Sequence, residues 1–200
     1  MLWSDFGPYV LPYVIGCPNP VMEAHVRRAA IRFCTETKCW AKRLDPVLTD
    51  GTVLVDIDAS SDNASIIDFD MVEVNSVVWP LLDAETGIRQ AQADDGKTFC
   101  FSEDMSTLRI YPLQVAGVPV VVRAALIPTR NATSMESALD EHAEAISYGA
   151  IASIMRVPNQ PFSSPSLEFE TMFRDSIRAE SSRLARGRIA VTERAIPSFM

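Results

Sequence analysis

Leu139-Asp140-Glu141-His142-Ala143-Glu144-Ala145-Ile146-Ser147-Tyr148-Gly149-Ala150-Ile151-Ala152-Ser153-Ile154-Met155-Arg156-Val157, followed by Pro158-Asn159-Gln160-Pro161-Phe162, is the stretch that decides the fold. Leu139, Ala143, Ile146, Ala150, Ile154 and Val157 recur at helical spacing, and Pro158 stops the stripe. Gly149 and Ala150 leave room for a second helix to come close. That helix starts at Ser164-Pro165, a cap followed by a proline suited to the first helical position, and Leu167, Phe169, Phe173, Ile177 and Leu184 supply its buried side up to Gly187. An arginine-rich tail then closes on Ile196-Pro197-Ser198-Phe199-Met200. The tail has too few apolar residues to pack on its own domain, but its charge and hydrophobic tip suit a neighbouring subunit.

The same periodicity stands near the other end of the chain. Asn19 as cap, Pro20 at the first helical position and Glu23 in the first turn open a helix. Its stripe runs through Met22, Val26, Ala29, Ala30, Phe33, Thr37, Trp40, Ala41 and Leu44 to a stop at Asp45-Pro46. Between the helical ends the period changes to two. Val53, Val55 and Ile57 alternate with Thr52, Leu54, Asp56 and Asp58, and β signals follow at 71–79, 98–101, 108–111 and 118–127. With no evident helix to make a crossover, antiparallel pairing is expected. The predicted fold is α+β: a bundle of about three long helices (19–48 and 135–187) with an inserted antiparallel β module (49–130), an N-terminal arm (1–18) and an extended C-terminal tail (188–200). Trp3, Phe6, Tyr9 and Tyr13 in the arm serve either as a docking peptide or as a cap on the helical core.

Composition narrows the function. The 200 residues are 48% hydrophobic and 22% charged, and no apolar run approaches the roughly 18 residues that span a bilayer. The N-terminus lacks the basic start and apolar stretch of a secretory signal, so synthesis in the cytoplasm is expected. A net charge of −8 and a pI near 4.8 make a surface that repels nucleic acid. Cys17, Cys34, Cys39 and Cys100 have neither zinc-site nor disulfide-framework spacing and read as reduced, structural residues. His25 and His142 lie in predicted helices without ligand-like neighbours, and no phosphate-binding glycine motif is present. No catalytic, cofactor or metal residue is therefore assigned, and the chain is expected not to be an enzyme. Asp56, Asp58, Asp62, Asp68, Asp70 and Glu73 read as a solvated sheet face rather than a calcium loop or an acid–base pair. Arg174, Arg178, Arg183, Arg186, Arg188 and Arg194, set against Asp175, Glu180 and Glu193, predict a local positive patch, either a solvated helix face with a frayed terminus or a surface that docks on an acidic partner with Phe199 filling a pocket.

With those residues in view, the chain resembles the head-to-tail adaptors of short-tailed bacteriophages, the tail tubular protein A type. The likeness rests on Tyr13-Val14-Ile15-Gly16-Cys17-Pro18-Asn19-Pro20 running into Ala29-Ala30-Ile31-Arg32-Phe33-Cys34 and Trp40, and on the position of the β insertion. It rests further on Ala145 to Ala152 with Pro158 to Phe162, and on the long basic helix from Phe173 to Arg188 with its short extension. The resemblance implies a virion protein at the head–tail junction, made in the host cytoplasm, with no catalysis and no cofactor. It implies a ring of about twelve copies under the portal. Such a ring extends the DNA channel and offers a platform to the tail nozzle and fibres, while DNA passes without specific binding and no membrane is involved. It also implies that Arg183, Arg186, Arg188, Arg194, Ile196 and Phe199 dock on the portal. Acidic walls would let phosphate slide past, and Asp56, Asp58, Asp68 and Asp70 are candidates to line the channel or face the tail. A connector or head-completion protein of a long-tailed phage, a cellular interaction module, and a small hydrolase using paired carboxylates stand as alternatives.

Overall fold

A computed structural model describes residues 1–59, 61, 63–93, 96–158 and 166–192, the last six of these as helix backbone only. The α-helices are α1 (Gly7–Val10), α2 (Asn19–Thr37), α3 (Ala84–Ala93), α4 (Ala143–Met155) and α5 (Leu167–Thr192). The strands are β1 (Ala41–Arg43), β2 (Val47–Leu48), β3 (Leu54–Asp56), β4 (Ala64–Val74), β5 (Val77–Trp79), β6 (Leu81–Leu82), β7 (Phe99–Ser102), β8 (Thr107–Tyr111) and β9 (Pro119–Pro128). Short 3-10 turns at Trp3–Phe6 and Ser137–His142 precede α1 and α4. The expected bundle of three long helices is therefore corrected to an α+β chain with five helices and nine strands in two sheets among the described residues. It divides into a helical unit, Met1–Cys39 with Arg130–Met200, and a β unit, Trp40–Thr129.

In the helical unit, α2 does not run to Leu44. Lys38 adopts the left-handed conformation (φ 54°) and ends the helix, its N–H donating to the Cys34 carbonyl at 2.8 Å. No glycine marks this stop. Trp40, Ala41 and Leu44, which continue a helical stripe on paper, belong to the β unit, where Leu44 N–H donates to the Val122 carbonyl at 2.8 Å. At the other end Pro18, not Asn19, is the cap residue, and its carbonyl accepts from both Val21 and Met22 at 3.0 Å. Met22, Val26, Ala30, Phe33 and Cys34 of α2 meet Ile146, Ala150, Ile151 and Ile154 of α4 and Phe173 of α5 in one core. The N-terminal segment joins that core: Trp3, Phe6, Val10 and Val14 are buried, and Trp3 Nε1 donates to the Ala132 carbonyl at 2.7 Å. It caps the helices, and only Tyr9 and Tyr13 show ring surface to solvent.

The β unit holds a sheet ordered β1-β9-β4-β5, with β2 also on β9, and a second ordered β3-β8-β7-β6. β4 is eleven residues long and carries irregularities between Ile66 and Asp68 and between Phe69 and Met71. Each extra residue flips the pleat, so its buried positions run Ala64, Ile66, Phe69, Val72, Val74 without simple alternation. The module is not wholly antiparallel. β6 and β7 pair in parallel, and α3 is the crossover between them. α3 has a short apolar stripe, Ala84, Ile88 and Ala91, which is not buried. Its start is marked instead by Asp83, whose carboxylate accepts from Thr86 N–H at 2.9 Å, and by Glu85 in the first turn. It lies close on β7 because Gly87 has no side chain: a Cβ there would sit 2.3 Å from Phe101 Cδ1.

Candidate functional site

α5 anchors itself through acids that face inward. Glu170, only 5% exposed, accepts from Arg174 Nε at 2.9 Å and Arg32 Nη1 at 3.4 Å, and lies 3.3 Å from Arg156 Nη2. Three guanidinium groups from α2, α5 and the residue after α4 thus neutralise one buried carboxylate. Above Glu170 the Phe173 ring is fully buried against Phe33 and the Gly149 backbone, with the Arg32 guanidinium 5.2 Å from its centre. Sequence alone offered the Glu170–Arg174 pair at i, i+4 as a clue, but not the convergence of Arg32 and Arg156.

These contacts reduce the expected positive patch. Arg174 is bound to Glu170, and Arg178 lies 3.6 Å from Asp175. Arg183 makes a two-pronged contact with Glu180, Nε to Oε2 at 2.8 Å and Nη2 to Oε1 at 2.7 Å, and reaches Glu141 at 3.4 Å. Arg186 differs: its Nε donates to the Ser182 carbonyl at 3.2 Å, and among the described residues it has no carboxylate partner. Arg188 lies in α5, which continues past Gly187 to Thr192, but its side chain lies outside the described residues, as do Arg194, Ile196 and Phe199. Of the expected docking residues, then, Arg183 is held by acids of its own chain and Arg186 is open to an external acid.

A second cluster was not legible in the sequence. Cys39 is half-buried just beyond the end of α2, its N–H donating to Thr37 Oγ1 at 3.3 Å. Cys34, His142 and Thr37 lie near its sulfur, and their polar groups hold the thiol below its ordinary range against the opposing effect of burial, Cys34 contributing most. His142 is pushed up, first by the neighbouring Cys39 thiol and then by the charges of Glu180 and Glu141, against the effect of burial. Its Nε2 lies 3.4 Å from Glu141 and 3.9 Å from Glu180, and its ring lies 5.0 Å from the ring of Phe33. His142 is the cap residue of α4 rather than part of a helical stripe. Cys39 is a free, half-buried thiol with a histidine for a neighbour. His25, by contrast, shares a 2.8 Å hydrogen bond with Ser153, and burial lowers its pKa.

The acids of the β unit do not form one constellation. Asp56 is on β3, accepting from Thr107 Oγ1 at 3.3 Å, and Asp58 follows it, exposed. Asp68 and Asp70 are on β4 in the other sheet, at the two irregularities, with Asp70 3.5 Å from Arg123 Nε. Asp62 lies outside the described residues. Among the described residues no group of three or more His, Cys, Asp or Glu side chains is placed to hold a metal ion, and no helix is long and apolar enough to cross a membrane. No family model matches this sequence, and no curated protein matches it.

Proposed function

We propose that the chain is a structural head-to-tail adaptor of a bacteriophage, a subunit of a ring that sits beneath the portal, continues the DNA channel and carries the tail. The observation that supports it best is the reach of α5. The helix has 26 residues and is roughly 39 Å long. Its last buried side chain is Glu180, and none of the described side chains beyond it is buried. Beyond it Ser182, Arg183, Ala185 and Arg186 are exposed, so the helix carries Arg186 on its surface where an outside partner can reach it. In this role Arg186, Arg188, Arg194, Ile196 and Phe199 engage the portal, while Arg183 fixes this end of the helix through Glu180. Asp56, Asp58, Asp68 and Asp70 belong to the acidic surface that DNA passes without adhering.

Negative-stain electron microscopy of the purified protein, alone and mixed with a portal, tests this. Rings on the portal are the expected result, and a variant with Arg186→Gln, Arg188→Gln and Arg194→Gln is expected to keep its fold and lose docking. Docking retained by that variant would remove the tail from the role.

One observation favours a second reading, a cysteine hydrolase: Cys39 beside His142, with Glu180 and Glu141 next to the imidazole, has the ingredients of an activated nucleophile. Turnover of an activated ester that Cys39→Ala abolishes would establish it. The division of the aspartates between two sheets gives the paired-carboxylate hydrolase no comparable support.

A further inference from the structure

We infer that the outward face of α2 is a groove that receives the first turns of α5 from a second copy of this chain, and that this contact joins neighbouring subunits. The inference rests on the ring reading above and adds to it the two surfaces that meet. The groove, about 530 Å³, is lined by Ala24, Arg27, Arg28, Ile31, Arg32 and Arg130. Arg32 is already paired with Glu36 and Glu170, and Arg27 donates from Nη1 to the Arg130 carbonyl at 2.8 Å. Arg28 and Arg130 are exposed and have no carboxylate partner among the described residues. Arg27 is held in place by its bond to the Arg130 carbonyl and by the Trp3 ring, whose centre is 5.7 Å from its guanidinium carbon. A concave cationic site of this kind on a chain of net charge −8 calls for a carboxylate-bearing occupant.

The same unit presents one. On the side of α5 opposite Phe173 and Ile177, Leu167 is 76% and Met172 39% exposed, and they are flanked by Glu168, Thr171 and Asp175. Among the described residues Glu168 has no cationic partner, and Asp175 has only Arg178, at 3.6 Å on the exposed surface. The spacing matches as well as the charge. Ala24, Arg28 and Arg32 form one row of the groove at i, i+4 and i+8, with Arg27 and Ile31 as the second. Leu167, Thr171 and Asp175 form the corresponding row on α5, with Glu168 and Met172 beside it. Each pair of rows is about 12 Å long, so two helices laid along one another put apolar residues against apolar floor and acids against arginines. Because groove and ridge are different patches on one subunit, the contact is head-to-tail, the type that closes into rings. Other acidic proteins would satisfy the charge, but the matched pair of rows on this same chain favours a second copy.

The test uses the full chain in three forms: groove reversed (Arg28→Glu with Arg130→Glu), ridge reversed (Glu168→Arg with Asp175→Arg), and both together. Assembly is read by mass photometry and electron microscopy over a concentration series, with a melting curve for each form. Each single reversal is expected to raise the concentration needed for assembly at least about ten-fold. An equimolar mixture of the two is expected to restore rings by alternation, and the doubly reversed chain to restore them alone. If a reversed form melts early, Arg28→Gln with Arg130→Gln replaces it, with weakened assembly expected. Rings that persist in both single reversals overturn this contact and leave the adaptor reading standing, as does a mixture that fails to assemble although the wild type does. A wild type that forms no ring at any concentration or on a portal overturns both.

Discussion

The contact between α4 and α5 turns on the absence of one side chain, so Gly149→Ala has a calculable outcome. A Cβ at this position would lie 2.8 Å from Phe173 Cε2, 2.9 Å from Cζ and 3.0 Å from Cδ2, where non-bonded carbons settle at about 3.5–4.0 Å. Either α4 and α5 separate by about half an ångström or more, or the ring moves. The ring is 1% exposed, with Phe33 on one side and the Arg32 guanidinium near its face, so it has nowhere to swing. Overpacking of a fixed neighbour costs about 2–3 kcal/mol. Against this, alanine in a helix interior is favoured over glycine by about 1 kcal/mol. The net expectation is destabilisation by about 1–2 kcal/mol, carried by the helical unit. Urea denaturation followed by Trp3 fluorescence, with Trp40 and Trp79 replaced by phenylalanine in a common background, isolates that unit's transition. Phe173→Leu in the Gly149→Ala background should recover part of the loss, since the shorter side chain vacates the contested space. A midpoint unchanged or raised by Gly149→Ala, or a double-mutant cycle without coupling, would show that the two helices do not touch here.

Three further outcomes follow from the same geometry. Glu170→Ala leaves the arginines that surround it without their shared acid and should cost about 2 kcal/mol, less than a fully buried ion pair because all three guanidinium groups are partly exposed; an unchanged denaturation midpoint would contradict this. Cys39 should alkylate with iodoacetamide along a pH profile whose midpoint lies below the ordinary 9.0 of a thiol, and His142→Ala should move it back up. Its lowered pKa makes its share of stability present above the unfolded thiol's value and lost as pH falls through the folded one, whereas the share from His142, whose pKa is raised, stays complete below the ordinary 6.5. Relative to Cys39→Ser, stability should therefore rise with pH from the lowered thiol value up to about 6.5, and a flat difference across that window would count against the pair. Asp83→Ala removes the cap of α3 and should cost about 1 kcal/mol in the β unit, read from its own denaturation curve.

Where an element owes its existence to an apolar stripe it was legible in the sequence, as with Met22 to Phe33 of α2, Ile146 to Ile154 of α4 and Phe173 to Ile177 of α5. Elements made by backbone geometry were not. Lys38 stops α2 in a left-handed conformation that sequence associates with glycine, and so Trp40 and Leu44 seemed to extend a helix they do not join. The irregularities in β4 broke the alternation over Ile66 to Met71 and hid the first half of the strand. α3 packs through Gly87, the one buried residue it has, and its stripe of Ala84, Ile88 and Ala91 is too short to stand out, so the Asp83 cap was the cue to follow. The site was less legible than the fold, because the meeting of Cys34, Cys39 and His142, and of Glu170 with Arg32 and Arg156, depends on long-range packing that no local spacing encodes.

The arginines of α5 admit an ordinary explanation that has to be separated from docking. Arginines paired with acids one turn away on the same helix, as Arg174 is with Glu170 and Arg183 with Glu180, stabilise it by about 0.2–0.5 kcal/mol each and are screened by salt just as an intersubunit contact would be. Salt dependence of assembly therefore does not discriminate between them. Position does. Arg183 is tied to Glu180 and Glu141, so Arg183→Gln disturbs both the helix and anything built on it. Arg186 donates only to the Ser182 carbonyl, so Arg186→Gln should shift stability by no more than about 0.5 kcal/mol. If Arg186→Gln leaves the melting curve in place and weakens portal docking, the charge serves an external partner; if it lowers melting by as much as Arg183→Gln does and leaves docking intact, the basic end of α5 is there for the helix itself.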